Sequence, residues 1–280
     1  MTEIAPAETA APTAPQVQDH LIPTPKGRLF ARSWTPPGSE GEAGNGEVPI
    51  LLFHDSLGCV ALWRSFPERL AAATGRRVIA YDRLGFGRSD PFPGLLPIDF
   101  VAAEAREVVP AICDALGIEG FIACGHSVGG GMGIHTAAAL PERCRALVTI
   151  AAQAFVEDRT IAGIEVAKAG FQRPEELAKL ARYHGDKARW VVDAWTETWL
   201  SPVFADWTVD AARALVRCPV LAIHGELDEY GSTEHPRRIA GTTGTARILA
   251  GIGHVPHRES EADLVELISG FLAGAVPAAG

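Results

Sequence analysis

The chain has 280 residues, 47% of them apolar and 21% charged, with a net charge of −9. This is the composition of a globular protein long enough for a large core, and its acidity argues against partners such as nucleic-acid phosphates or an anionic membrane surface. No apolar run approaches membrane-spanning length, and the five cysteines (Cys59, Cys113, Cys124, Cys144, Cys218) form no C-x-x-C pair, which reads as reduced thiols of a cytoplasmic protein.

Residues 1–17, biased to Ala, Pro and Thr without a basic or apolar leader, read as a disordered tail rather than a signal peptide. Residues 18–35 read as a hairpin turning at Pro25-Lys26-Gly27, and 38–47 as a flexible loop. A different rhythm follows. "VPILLFHD" is a buried strand, "WRSFPERLAAATG" a helix and "RRVIAYD" a second strand. "DFVAAEAREVVPAICDALG" is helical, with a kink expected at Pro110. "GFIACGH" is a third strand, "VGGGMGIHTAAAL" a helix and "RALVTIAAQ" a fourth strand. Residues 154–212 break the pattern: they hold helical segments, no clear strand and four of the six tryptophans. Strands resume at "CPVLAIHGELD" and "ARILAGIG", before a closing helix "ESEADLVELISGFLAG". Continuous apolar strands between helices predict an α/β fold with a mostly parallel, twisted sheet covered on both faces. The core is expected over 18–153 and 213–280, with 154–212 as a helical cap on the carboxyl edge of the sheet, where ligands bind in such folds.

Three residues fall at that edge with the chemistry of a nucleophilic site. Ser127, in "GHSVGG", follows a predicted strand and opens a predicted helix, the context a G-x-S-x-G elbow requires. Glycine is abundant here, so the motif by itself also fits a small-residue turn packing a helix on a strand. A serine hydroxyl needs a base. His254 in "GIGHVPH" directly follows the last predicted strand, and His257 is its competitor. His126 adjoins the serine and is read as a packing or substrate-lining residue. An acid must hold the imidazole tautomer. Asp228 ends "VLAIHGELD" just past a strand, with Glu226 and Glu229 as rivals, and the loop after "ALVTIA" offers only Gln153, which cannot serve. Two donors for an oxyanion are expected in the backbone N–H groups of Val128 and Ser56.

The segments "FHDSLG", "YDRLGFGRSD", "GHSVGG", "HGELD" and "GIGHVPH" occur in an order and at spacings that resemble the α/β-hydrolase superfamily over roughly residues 18–274. The chain looks most like the capped branch of that superfamily, which includes esterases, enol-lactone hydrolases, C–C bond hydrolases and cofactor-free haloperoxidases. The resemblance implies a triad of Ser127, Asp228 and His254 and an oxyanion hole at Ser56 and Val128. Serine at position 127 sets the chain apart from the dehalogenase and epoxide-hydrolase branches, which use aspartate. One departure stands out. The family usually carries His-Gly before the oxyanion residue, and this chain has His54-Asp55, which adds a side chain at the oxyanion loop.

These readings converge on a serine hydrolase that needs no cofactor or metal and acts on an ester or related acyl bond of a small molecule. C–C bond, lactone or peracid chemistry with the same triad is the alternative, and a non-catalytic receptor on this scaffold is the reading from another class. Val191, Trp195 and Trp199 form one helical stripe in the cap, with Arg189, Asp193, Thr196 and Glu197 largely off it. Trp195 and Trp199 are therefore candidate substrate-binding residues that also anchor the cap. No basic cluster marks this region, so the expected substrate is apolar or aromatic. A homo-oligomer is compatible with the sequence.

Overall fold

The computed structural model describes residues 14–37 and 47–276. Most of the expected tail, and residues 38–46 of the expected loop, lie outside it. Strand β1 (Gln16–Thr24) begins two residues inside the segment assigned to the tail, because the whole of it pairs antiparallel with β2 (Gly27–Thr35).

Eight strands form one sheet in the order β1-β2-β4-β3-β5-β6-β7-β8, with β3 (Ile50–Phe53), β4 (Val78–Tyr81), β5 (Phe121–His126), β6 (Cys144–Ile150), β7 (Val220–Gly225) and β8 (Thr245–Leu249) completing it. From β4 to β8 every pairing is parallel. Strands β3, β4, β5 and β7 are buried at every position, which explains their unbroken apolar sequences.

Helices cover both faces. On one lie α1 (Phe66–Thr74) and α10 (Glu261–Ala275), whose Phe66, Leu70, Leu264 and Ile268 pack with Leu52, Ile122 and Val148 of the sheet. Pro67 lies in the first turn of α1, where its missing N–H costs nothing, and Gly75 ends the helix in the left-handed conformation at φ 65°. On the other face lie α2 (Phe100–Ala103), α3 (Val109–Ala115), α4 (Val128–Ala139), α8 (Asp210–Arg213) and α9 (Glu234–Ala240), packed through Val101, Ile112, Met132 and Ile239. The kink expected at Pro110 is a π-helical turn at Glu104–Val108 between α2 and α3, just before the proline. The first covering helix starts later than its sequence suggests. Val60–Trp63 is a short 3-10 turn, Arg64 takes φ 54°, and α1 begins only at Phe66.

Between β6 and β7 the chain runs through α5 (Asp158–Gly170), α6 (Pro174–His184), α7 (Ala188–Trp199) and α8. Pro174 opens α6, with Glu175 and Glu176 in its first turn, where the helix dipole favours negative charge. Leu180, Val191 and Val192 of this segment form a small core of their own with Phe86. The segment is tied to the sheet by specific bonds. His184 accepts from the Gly87 N–H at 2.9 Å and donates to the Leu57 carbonyl at 3.0 Å, and the Lys187 ammonium donates to the Gly87 and Ser89 carbonyls. Thr196, placed off the apolar stripe of α7 by its sequence, is fully buried, because this helix is covered on more than one side. Four cysteines are buried and Cys218 is half-buried, with its sulfur 3.9 Å from that of Cys144. Among the described residues no helix is long and apolar enough to cross a membrane.

Candidate active site

The carboxyl ends of β3, β5, β7 and β8 deliver the loops that carry the site. Ser127 follows β5 at φ 55° and ψ −127°, a strained backbone for a residue with a side chain. Its neighbours show why the turn is so tight. A Cβ on Gly125 would lie 2.1 Å from the Gly129 carbonyl oxygen, and one on Gly129 would lie 2.2 Å from that of Phe53. Glycine at both places lets α4 start hard against the sheet, with the serine at its N-terminus.

The structure brings Ser127, His254 and Asp228 together. His254 Nε2 lies 3.1 Å from Ser127 Oγ, and Nδ1 lies 2.9 and 2.8 Å from the two oxygens of Asp228. A carboxylate can only accept, so Nδ1 carries the hydrogen and Nε2 presents a lone pair to the hydroxyl. Burial by itself would lower the His254 pKa, but the hydrogen bond and charge of Asp228 outweigh it and raise the pKa above the ordinary histidine value. Asp228 is fully buried, which by itself would raise its pKa. The bond to His254, the charges of His254 and His224 and the Tyr230 N–H at 2.8 Å hold it below the usual carboxylate value instead. This is an arrangement that can draw a proton from the serine hydroxyl and stabilise the imidazolium that results.

The rivals lie elsewhere. Glu226 is exposed and accepts from the Gly251 N–H at 3.0 Å, while Glu229 is exposed at the cavity rim. His257 is 4% exposed and packed at 4.8 Å, ring to ring, against both Trp63 and His126, and burial pushes its pKa well down. Gln153 is buried with its amide oxygen 3.4 Å from Ser127 Oγ.

These residues border a cavity of about 370 Å³. Its floor includes Ser127, Ser56, His126 and Gln153. Its apolar wall comes largely from the helical segment, through Ile164, Phe171, Leu180, Trp195 and Trp199. Trp195 is half-buried there, whereas Trp199 is 2% exposed and packs on Phe204 and Trp207 as well. The backbone N–H groups of Ser56 and Val128, the pair read from the sequence, have no hydrogen-bond partner among the described residues. Val128 opens α4, where the helix dipole adds to the pull on a negative charge.

Several contributors were not foreseen in the sequence. Tyr230 lines the cavity and meets the His254 ring edge-on at 4.8 Å. His224 lies behind the site, with Nε2 3.1 Å from Asp228. Arg159 donates to the Asp228 carbonyl at 3.1 Å and Thr160 to that of Tyr230 at 2.6 Å, so α5 holds the acid loop. Tyr230 sits two residues from Asp228 in the same loop, a signal the sequence did contain. His224, Arg159 and Thr160 act through distances that only the folded chain sets. Among the described residues no group of three or more His, Cys, Asp or Glu side chains could hold a metal ion.

Comparison with known proteins agrees with this architecture. The profile of the alpha/beta hydrolase fold family matches residues 48–204. A 2-hydroxymuconate semialdehyde hydrolase from Pseudomonas sp. strain CF600 is 28% identical, over 82% of this chain and 89% of its own. A protein of Azorhizobium caulinodans that carries the name carbamate hydrolase RutD is 38% identical over 103 residues, which span only 37% of that protein's length. The crystal structure of a proline iminopeptidase from Mycobacterium smegmatis superposes with a TM-score of 0.70 at 21% identity, over 92% of this chain and 98% of that one.

Proposed function

The chain belongs to the α/β-hydrolase fold family and is a hydrolase of that type, and from this premise we propose that it is a cofactor-independent serine hydrolase cleaving an ester or related acyl bond of a small, largely apolar molecule. One observation carries the reading. A single imidazole, that of His254, lies 3.1 Å from the Ser127 hydroxyl on one side and 2.8 Å from the Asp228 carboxylate on the other.

In this reading His254 Nε2 takes the hydroxyl proton as Ser127 Oγ attacks the substrate carbonyl. The new C–O bond forms as the carbonyl electron pair moves onto oxygen. The N–H groups of Ser56 and Val128 receive that oxyanion. His254 returns its proton to the leaving alcohol, the C–O bond to it breaks, and an acyl-enzyme remains. Water, deprotonated by the same nitrogen, releases the acid and restores the serine. The helical segment 154–212 acts as a cap, with Trp195 and Trp199 in the apolar wall that selects the substrate.

The same residues would serve a C–C bond hydrolase, and the match to the Pseudomonas enzyme along most of both chains favours that as the second reading. The experiment that separates the two offers 4-nitrophenyl esters of graded chain length and, in parallel, carbon–carbon-linked enol substrates. Ester turnover that disappears in Ser127→Ala supports the first reading. Turnover of the carbon–carbon substrates alone would replace it with the second.

A further inference from the structure

We infer that Asp55 is a positioning residue, whose carboxylate clamps the oxyanion loop to the loop that carries His254 by way of the His126 ring. The catalytic half of this inference rests on the hydrolase reading above; the clamp itself does not.

Asp55 stands where resembling chains carry glycine, so its side chain is an addition to be explained. One of its oxygens, Oδ1, accepts from the Leu57 N–H at 2.8 Å, and the Asp55 carbonyl accepts from the Gly58 N–H at 3.2 Å. Together these bonds close a turn around Ser56. The same carbonyl also accepts from Arg83 at 2.9 Å and from His54 Nδ1 at 2.8 Å. The other carboxylate oxygen, Oδ2, accepts from His126 Nδ1 at 3.2 Å. His126 Nε2 in turn donates to the backbone carbonyl of His254 at 2.8 Å. His126 is 1% exposed and fixed in place, with ring centroids of His254 at 5.1 Å and of His257 at 4.8 Å. A single chain of contacts therefore links the loops after β3, β5 and β8, which carry the proposed oxyanion donors, nucleophile and base.

The charge of Asp55 is answered within the same contacts. A lone carboxylate beside an oxyanion hole would repel the charge that develops there. Both ring nitrogens of His126 face acceptors, one the Asp55 carboxylate and one the His254 carbonyl, so Asp55 is bonded into the loop contacts rather than left open to the hole. Burial would raise the Asp55 pKa, yet the His126 bond and charge hold the carboxyl well below the usual range.

The test compares wild type with Asp55→Asn, which keeps an oxygen for the Leu57 N–H but offers no carboxylate to His126, and with His126→Gln, which cuts the same link from the other end. Two readouts are taken. Amide hydrogen exchange in the 250–258 loop reports the clamp without any catalysis. Ester hydrolysis per fluorophosphonate-titrated site reports its consequence. Exchange in that loop is expected to quicken in both variants while the central strands stay protected. Turnover per titrated site should fall about ten- to a hundredfold, the cost of a displacement of about 1 Å at a reacting centre, with KM changed less than about threefold. The double variant should cost little more than either single one, as for residues in one network. A merely structural role would lower stability and the titrated fraction, with turnover per site kept.

Unchanged loop exchange in both variants overturns the clamp. Quickened exchange with wild-type turnover per site overturns the positioning role. If Asp55→Asn does not fold, Asp55→Gly takes its place under the same criteria. A wild-type protein that neither takes the label nor hydrolyses any ester overturns the hydrolase reading and the catalytic half of this one, and the exchange data then decide the clamp alone.

Discussion

Ser127 Oγ and His254 Nε2 lie 3.1 Å apart although 127 residues separate them in the chain. The sheet sets that distance. β5 and β8 are three strands apart in the order β5-β6-β7-β8, and the intervening β7 delivers Asp228 to the far side of the imidazole. A parallel sheet turns three loops distant in sequence into neighbours at one edge.

Asp228→Asn should cost on the order of ten-thousandfold in turnover, because an amide does not hold the imidazole tautomer as a carboxylate does. It should also move the pH profile. His254 must be unprotonated to act as a base, so activity rises with pH through its pKa. The bond and charge of Asp228 raise that pKa against burial. Removing the negative charge disfavours imidazolium, so the acidic limb of kcat/KM should shift to lower pH in the variant. A limb that stays in place or moves upward would mean that another group titrates there.

His257 and His254 should separate cleanly in an alanine pair. His257 packs between Trp63, Phe66 and His126, whereas the ring bonded to Ser127 is that of His254. His257→Ala should lose about 1–3 kcal/mol of stability, with turnover per folded molecule within about threefold of wild type. His254→Ala should be nearly as damaging as loss of the serine. Thermal melts and ester kinetics on both variants decide it, and the reverse pattern would make His257 the base.

The sheet, and the three residues that meet at the candidate site, were legible because both signals are local. A buried strand is an unbroken apolar run, and a residue just past such a run must emerge at the sheet edge, which is how Ser127, Asp228 and His254 stood out. Helix α9 was missed because "EHPRRIA" is short, charged and holds a proline, so its periodicity is weak. The roles of His126, His224 and Gln153 depend on which loops the sheet brings together, which no window of sequence contains. Asp55 was visible as a departure from His-Gly, but its partner, His126, lies 71 residues away.

The two tryptophans of α7, Trp195 and Trp199, should behave differently. Trp195 is half-buried at the cavity wall, so Trp195→Ala should flatten the dependence of ester turnover on chain length. In wild type each added methylene is worth at most about 0.8 kcal/mol, close to fourfold, until the cavity is full. Trp199 belongs to the core as well as the wall, with Phe204 at 5.1 Å and Trp207 at 5.5 Å. Trp199→Ala should therefore lose about 3–5 kcal/mol of stability. An unchanged chain-length profile in Trp195→Ala would remove that residue from the substrate wall.

Whether Ser127 is an activated nucleophile is decided by covalent labelling with a fluorophosphonate followed by peptide mass analysis. One label per chain is expected, on the peptide containing Ser127, with activity lost in step. A folded Ser127→Ala variant should take no label, and its ester turnover should fall on the order of a millionfold. Inactivation by label on any other residue, or wild-type turnover in Ser127→Ala, would contradict that role.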